Sequence, residues 1–231
     1  MLLRQLFHHE TYSFTYLIAD RDSGVAAIID PVRDDVEKYL RLVAELGVEL
    51  KFALDTHVHA DHITALGRLR ELTGCTTYLG NREQVHCADS ALEDGMKITL
   101  GRLTVMVMYT PGHTDDSYCF YIDDGVEKRV FTGDTLLIRG TGRTDFQNGC
   151  AANLYDSLHQ KVMLLEPATI VYPGHDYNGS STSTIDEEKH CNPRITIDSK
   201  EAFVSYMRDL NLSQPGKIDI AVPANQRCGR E

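Results

Sequence analysis

Three imidazoles and one carboxylate fall within six consecutive positions, His57-Val58-His59-Ala60-Asp61-His62, in a chain with ten His among 231 residues. Imidazole nitrogen and carboxylate oxygen are the usual ligands of first-row transition metals, so this density points to metal chemistry. Three later segments carry one candidate ligand each, every time after an apolar run and a turn. Val105–Tyr109 leads into Thr110-Pro111-Gly112-His113, Val130-Phe131 into Thr132-Gly133-Asp134, and Thr169–Tyr172 into Pro173-Gly174-His175. A single Pro-Gly-His or Gly-Asp is more often a turn than a ligand. Four such ends in order change that balance, because strands lying side by side gather their loops at one edge of a sheet.

The elements that must hold these residues are readable from the same pattern. Lys51–Asp55 reads as a strand, and Ile63, Leu66, Leu69 and Leu72, closed by Gly74, as a helix, which places the His cluster in a strand-to-helix loop. That differs from a His-Glu-x-x-His helix, where both ligands share one helical face. Phe14–Ile18 and Ala26–Asp30 around the polar Asp20–Gly24 predict a β-hairpin. Val36, Tyr39, Leu40, Val43 and Leu46, closed by Gly47, predict an amphipathic helix. Leu154, Leu158, Val162 and Leu165 predict another, and Phe203, Val204, Met207 and Leu210 a last one. The polar run Asn178–Thr184 beside His175 reads as a flexible rim. The mixture fits one α/β domain over residues 1–231 with a short helical or extended C-terminal tail.

Composition excludes several classes. Lys plus Arg is 23 and Asp plus Glu 34, a net charge of −11 without a basic run, which disfavours nucleic acid and anionic membrane. No apolar stretch approaches the roughly 18 residues of a membrane span, and the first strand begins too early for a signal peptide. A cytoplasmic protein is the expectation, or a mitochondrial matrix one if the chain is eukaryotic and processed. The six cysteines Cys75, Cys87, Cys119, Cys150, Cys191 and Cys228 lack a Cys-x-x-Cys pair, so free thiols in a reducing compartment are expected.

The series His57-x-His59-x-Asp61-His62, His113, Asp134 and His175 resembles the metallo-β-lactamase superfamily, which implies an αββα sandwich with the metal at one edge of two sheets. The segment Thr132–Gln147, with Ile138-Arg139-Gly140-Thr141-Gly142-Arg143-Thr144-Asp145-Phe146, and the ending Val222-Pro223-Ala224-Asn225-Gln226-Arg227-Cys228-Gly229 are similar to the persulfide dioxygenase branch. Thr141 departs from the Cys that many animal members carry.

That resemblance implies one Fe(II) per chain on His57, His113 and Asp134, a facial triad with about three open positions. His59, Asp61, His62 and His175 then become outer residues, with His175 close enough to the reacting groups to share in catalysis. The implied reaction is oxidation of glutathione persulfide by O2 to sulfite and glutathione. Arg139 and Arg143 are candidate partners for the substrate carboxylates, and Tyr177 a hydroxyl donor. A surface ion pair, for example with Asp145, is the plainer reading of either arginine. A homodimer is a family expectation to which no residue speaks. The alternative is a dinuclear zinc hydrolase of S-acylglutathione of the glyoxalase II kind, using His59, Asp61, His62 and His175 for the second metal.

Overall fold

The computed structural model describes residues 1–80, 87–210 and 212–230. The chain divides into two compact units, Met1–Leu92 with Lys97–Val105 and Gln214–Glu231, and Glu93–Met96 with Met106–Ser213.

The first unit is built on a six-stranded mixed sheet in sequential order: β1 (Leu2–His8), β2 (Ser13–Ala19), β3 (Val25–Ile29), β4 (Glu49–Leu54), β5 (Thr76–Leu79) and β6 (Ser90–Ala91). The expected hairpin is β2–β3, paired antiparallel. From β3 onward the pairs are parallel, with helices α1 (Val36–Leu46) and α2 (Leu66–Thr73) as crossovers. Both helices stop where the glycines predicted, Gly47 at φ 63° and Gly74 at φ 71°, the left-handed cap that glycine adopts without a Cβ clash. The helix predicted from Ile63 starts later, at Leu66, because Ile63 belongs to the loop. The core joins Leu17, Ile28, Leu50 and Ala53 of the sheet to Tyr39, Leu66 and Leu69 of the helices.

A second mixed sheet runs β12-β11-β10-β9-β8-β7, comprising β7 (Lys97–Leu100), β8 (Leu103–Tyr109), β9 (Tyr118–Asp123), β10 (Lys128–Gly133), β11 (Ile170–Pro173) and β12 (Ser183–Thr184). In the second unit, α3 (Ala151–Gln160) and α5 (Lys200–Arg208) bring Leu154, Leu158, Phe203 and Met207 onto Val130 and Val171. The predicted rim after His175 is partly ordered. Ser183 and Thr184 form β12, and the Thr184 hydroxyl accepts from Glu187 N–H to cap α4 (Ile185–Cys191), a helix too short to show in the hydrophobic pattern. The tail adds α6 (Ile218–Asn225) to the first unit.

One expectation is corrected. Cys87 and Cys228 are joined in a disulfide, and only Cys75, Cys119, Cys150 and Cys191 are free thiols. The partners stand 141 residues apart, so no local spacing could announce them; the fold alone brings the tail to Cys87. No helix among the described residues is long and apolar enough to cross a membrane.

Candidate metal centre

Parallel pairing positions the candidate ligands of each unit. In the first, β3 and β4 run in register with Ile29 opposite Leu54, so Asp30 and Asp55 emerge side by side at the carboxyl ends and the chain enters the His loop between them. Asp30 takes a left-handed conformation, φ 51°, that few residues other than glycine adopt. Its carboxylate is buried and accepts from Thr56 N–H at 2.7 Å and from the Thr56 hydroxyl at 3.0 Å. That hydroxyl has a single proton, already given to Asp30, so it must accept from His57 Nδ1 at 3.0 Å. Nδ1 of His57 therefore carries the ring proton, and Nε2 keeps the lone pair a metal requires. His57 itself is 2% exposed.

The remaining candidate ligands of the run are held by carboxylates. His59 Nε2 lies 3.1 Å from Asp30 Oδ1, and His62 Nδ1 lies 2.9 Å from Asp61 Oδ2. Burial works against an imidazolium at His59, but the Asp30 charge and hydrogen bond prevail and lift its pKa to about 9. Among the described residues nothing meets His59 Nδ1 although it is buried, which marks a place for water. His59, Asp61 and His62 offer one group of ligand atoms within 4.8 Å of one another, and Asp30, Asp55 and His59 another.

The second unit repeats the device. β10 and β11 pair in parallel with Gly133 opposite Pro173, and Gly174 N–H donates to Gly133 C=O at 2.8 Å, so Asp134 and His175 leave adjacent strand ends. Their approach needs Gly174, where a Cβ would stand 2.6 Å from Asp134 Oδ1. His175 Nδ1 donates to that oxygen at 2.7 Å, leaving Asp134 Oδ2 facing His113 Nε2 at 3.6 Å. His113 Nδ1 meets the Arg143 carbonyl at 2.7 Å; a carbonyl only accepts, so Nδ1 carries a proton and Nε2 is the ring atom turned toward Asp134. Gly142 allows this loop to cross the imidazole, since a Cβ there would lie 2.6 Å from His113 Nδ1.

The predicted substrate residues lie in the same unit. Arg139 donates its backbone N–H to Glu188 at 2.9 Å, and its guanidinium pairs with Glu187 and Glu188. Arg143 forms a two-point pair with Asp145 at 2.6 and 2.7 Å, donates to the Ser213 carbonyl at 2.6 Å and covers the Phe146 ring at 4.6 Å. Both arginines thus make the ion pairs that competed with a binding role. Tyr177 is 64% exposed and stacks on His175 at 5.9 Å between ring centres. Sequence reasoning missed Asp30, Thr56 and the Arg143 carbonyl, which fix the ring protons. Thr56 adjoins the run and Asp30 ends an apolar strand, but a carbonyl contact has no sequence signature.

Residues 10–175 match the family model described as Metallo-beta-lactamase superfamily, and the chain belongs to that superfamily. Within it, the chain is 47% identical over 230 residues to the persulfide dioxygenase ETHE1, mitochondrial, of Homo sapiens, covering 99% of this chain and 89% of that one. The crystal structure of ETHE1 from Myxococcus xanthus matches with a TM-score of 0.95 at 50% identity, covering all of both chains. The cytoplasmic hydroxyacylglutathione hydrolase of Arabidopsis thaliana is 35% identical over 169 residues, covering 71% of this chain and 64% of that protein.

Proposed function

We propose that this chain is a persulfide dioxygenase that adds both atoms of O2 to the outer sulfur of glutathione persulfide, the resulting sulfinate being hydrolysed by water to sulfite and glutathione, with one Fe(II) held by His57, His113 and Asp134. Residues 1–231 count as a single catalytic domain in this reading. The observation that carries it is the set of hydrogen bonds behind the ligands. Thr56, the Arg143 carbonyl and His175 each occupy the far side of one predicted ligand, which fixes the orientation of two imidazoles and one carboxylate.

Two imidazoles and one carboxylate form a hard to intermediate donor set that suits Fe(II). When bound, the iron supplies the one-electron chemistry that lets O2 react with a sulfur anion. The chain's own residues hold and exclude. Asp30 fixes Thr56 and hence the His57 tautomer. His175 orients Asp134 and keeps a proton on its own Nδ1, beside the reacting groups. His59, Asp61 and His62 line the loop and take part through hydrogen bonds, with His59 Nδ1 available to water. Arg143, Arg139 and Tyr177 receive the carboxylates of the glutathione moiety. A substrate carboxylate at Arg143 competes with Asp145 for the same face of the guanidinium, which makes binding an exchange of ion pairs.

The dinuclear zinc hydrolase is the second reading, favoured by the ligand atoms of His59, Asp61 and His62 converging within 4.8 Å. Similarity weighs against it, at 35% across 71% of the chain, whereas the persulfide dioxygenase relative is matched at 47% across 99%. Metal analysis of anaerobically purified protein, followed by O2 uptake with glutathione persulfide, separates the two. About one iron per chain with O2 consumed and sulfite formed is the expected result. Two zinc per chain with thioester turnover and no O2 uptake would replace this reading with the hydrolase.

A further inference from the structure

The C-terminal motif Val222–Gly229 has no part in the chemistry above, yet it reaches the His loop. Asn225, at the end of α6, is 1% exposed and uses every hydrogen-bonding group of its side-chain amide on that loop. Nδ2 donates to the His59 carbonyl at 2.8 Å and to the His62 carbonyl at 2.8 Å, while Oδ1 accepts from Thr64 N–H at 2.8 Å. The neighbouring backbone docks on the start of α2, where Gly67 N–H donates to the Cys228 carbonyl at 2.9 Å; a Cβ at Gly67 would stand 2.7 Å from that oxygen. Arg33 reaches the Gly229 carbonyl at 3.4 Å, and the Cys87–Cys228 disulfide ties the segment covalently.

We propose that Asn225 is a positioning residue of the metal centre, setting the backbone of the loop from which His57, His59, Asp61 and His62 project. The inference rests on the reading of His57 as a metal ligand. Residues 56–63 contain no helix or strand and Thr64 makes only an isolated bridge, so the buried backbone groups of this stretch need partners from elsewhere. One planar amide supplies three, and because both carbonyls accept from a single nitrogen they must converge on it. That convergence bends the chain between His59 and His62 and so sets where His59, Asp61 and His62 leave the backbone. No residue of similar size can replace it. Aspartate would set a carboxylate against two carbonyl oxygens, and leucine would strand three buried polar groups. The disulfide, three residues further on, anchors the segment without touching a loop carbonyl, so anchoring and positioning are separable by mutation.

The test compares Asn225→Asp with Cys228→Ser in full-length protein loaded with Co(II) or Fe(II). Asn225→Asp should weaken metal binding at least tenfold in chelator competition and shift the visible Co(II) spectrum. Cys228→Ser should lower the thermal midpoint while leaving spectrum and metal affinity within about twofold of wild type. If Asn225→Asp does not fold, Asn225→Ser, which removes the amide without adding a charge, is read in the same way and should show a shift of the same kind. An Asn225 variant with lowered thermal midpoint but wild-type spectrum and affinity would show a purely structural residue and overturn the proposal. Equal spectral shifts in both variants would overturn it too, since the tether would then be what sets the loop. Wild-type protein that binds neither metal would remove the assignment of His57 along with this one, whereas normal binding by wild type and variant alike would remove only the role of Asn225.

Discussion

Replacing Thr56 by valine tests the hydrogen-bond logic of the proposed centre with almost no change in shape. The Thr56 hydroxyl makes two bonds inside the first unit, 3.0 Å to the Asp30 carboxylate and 3.0 Å to His57 Nδ1. A hydrogen bond to a charged group contributes about 1.5–3 kcal/mol and a neutral one about 0.5–1.5 kcal/mol, so Thr56→Val should destabilise folding by roughly 2–4 kcal/mol. The part that matters for function is the loss of tautomer control. With no acceptor at Thr56, the ring proton of His57 is no longer directed to Nδ1, and the ring can turn. Outer partners of metal-bound histidine are worth about 10–100-fold in metal affinity, which is ~1.4–2.7 kcal/mol. Iron affinity should be measured by chelator competition under anaerobic conditions, beside O2 uptake with glutathione persulfide at saturating iron. Thr56→Ser keeps the hydroxyl and should restore both. Wild-type iron affinity in Thr56→Val would refute the reasoning, because the hydroxyl would then play no part in orienting His57.

Three further outcomes follow from the structure. His57→Ala, His113→Ala and Asp134→Ala should each abolish iron retention and O2 uptake together; an iron-free His113→Ala enzyme consuming O2 at the normal rate would sink the triad. Thiol titration of denatured, unreduced protein should find four groups, rising to six after reduction, and Cys87→Ser should cost ~2–4 kcal/mol in denaturant unfolding; six thiols without reductant would exclude the disulfide. Burial at Asp124 is outweighed by the backbone N–H groups of Glu127 and Val126 and by Arg129, which hold its carboxyl well below the usual range. A depressed folded pKa gives stability that is present above the ordinary carboxylate value and is lost as pH falls through the folded one. Asp124→Asn should therefore melt lower than wild type at pH 7, with the gap narrowing toward pH 3; a constant gap would refute that assignment.

Residues close in sequence determined much of what could be read directly. Periodicity with glycine stops gave α1 almost to the residue and the end of α2, since a left-handed cap is a local event at Gly47 and Gly74. The His run and the three strand-end turns supplied the donor types, because a ligand's chemistry belongs to its side chain. Shorter features were harder to read: α4, with seven residues, escaped, and the tail, expected as helical or extended, forms a helix with a proline at 223 and no clear amphipathic stripe. The tertiary structure decided what each ligand can do. Register places Asp30 behind Thr56 and His175 behind Asp134, and a loop crossing brings a carbonyl onto His113; proton positions follow from those contacts. It also decided that Cys87 meets Cys228 and that Asn225, some 160 residues beyond the His loop, clasps its backbone. Sequence specifies which atoms are available, whereas lone pairs, ring protons and long-range partners depend on distances that only the folded chain sets.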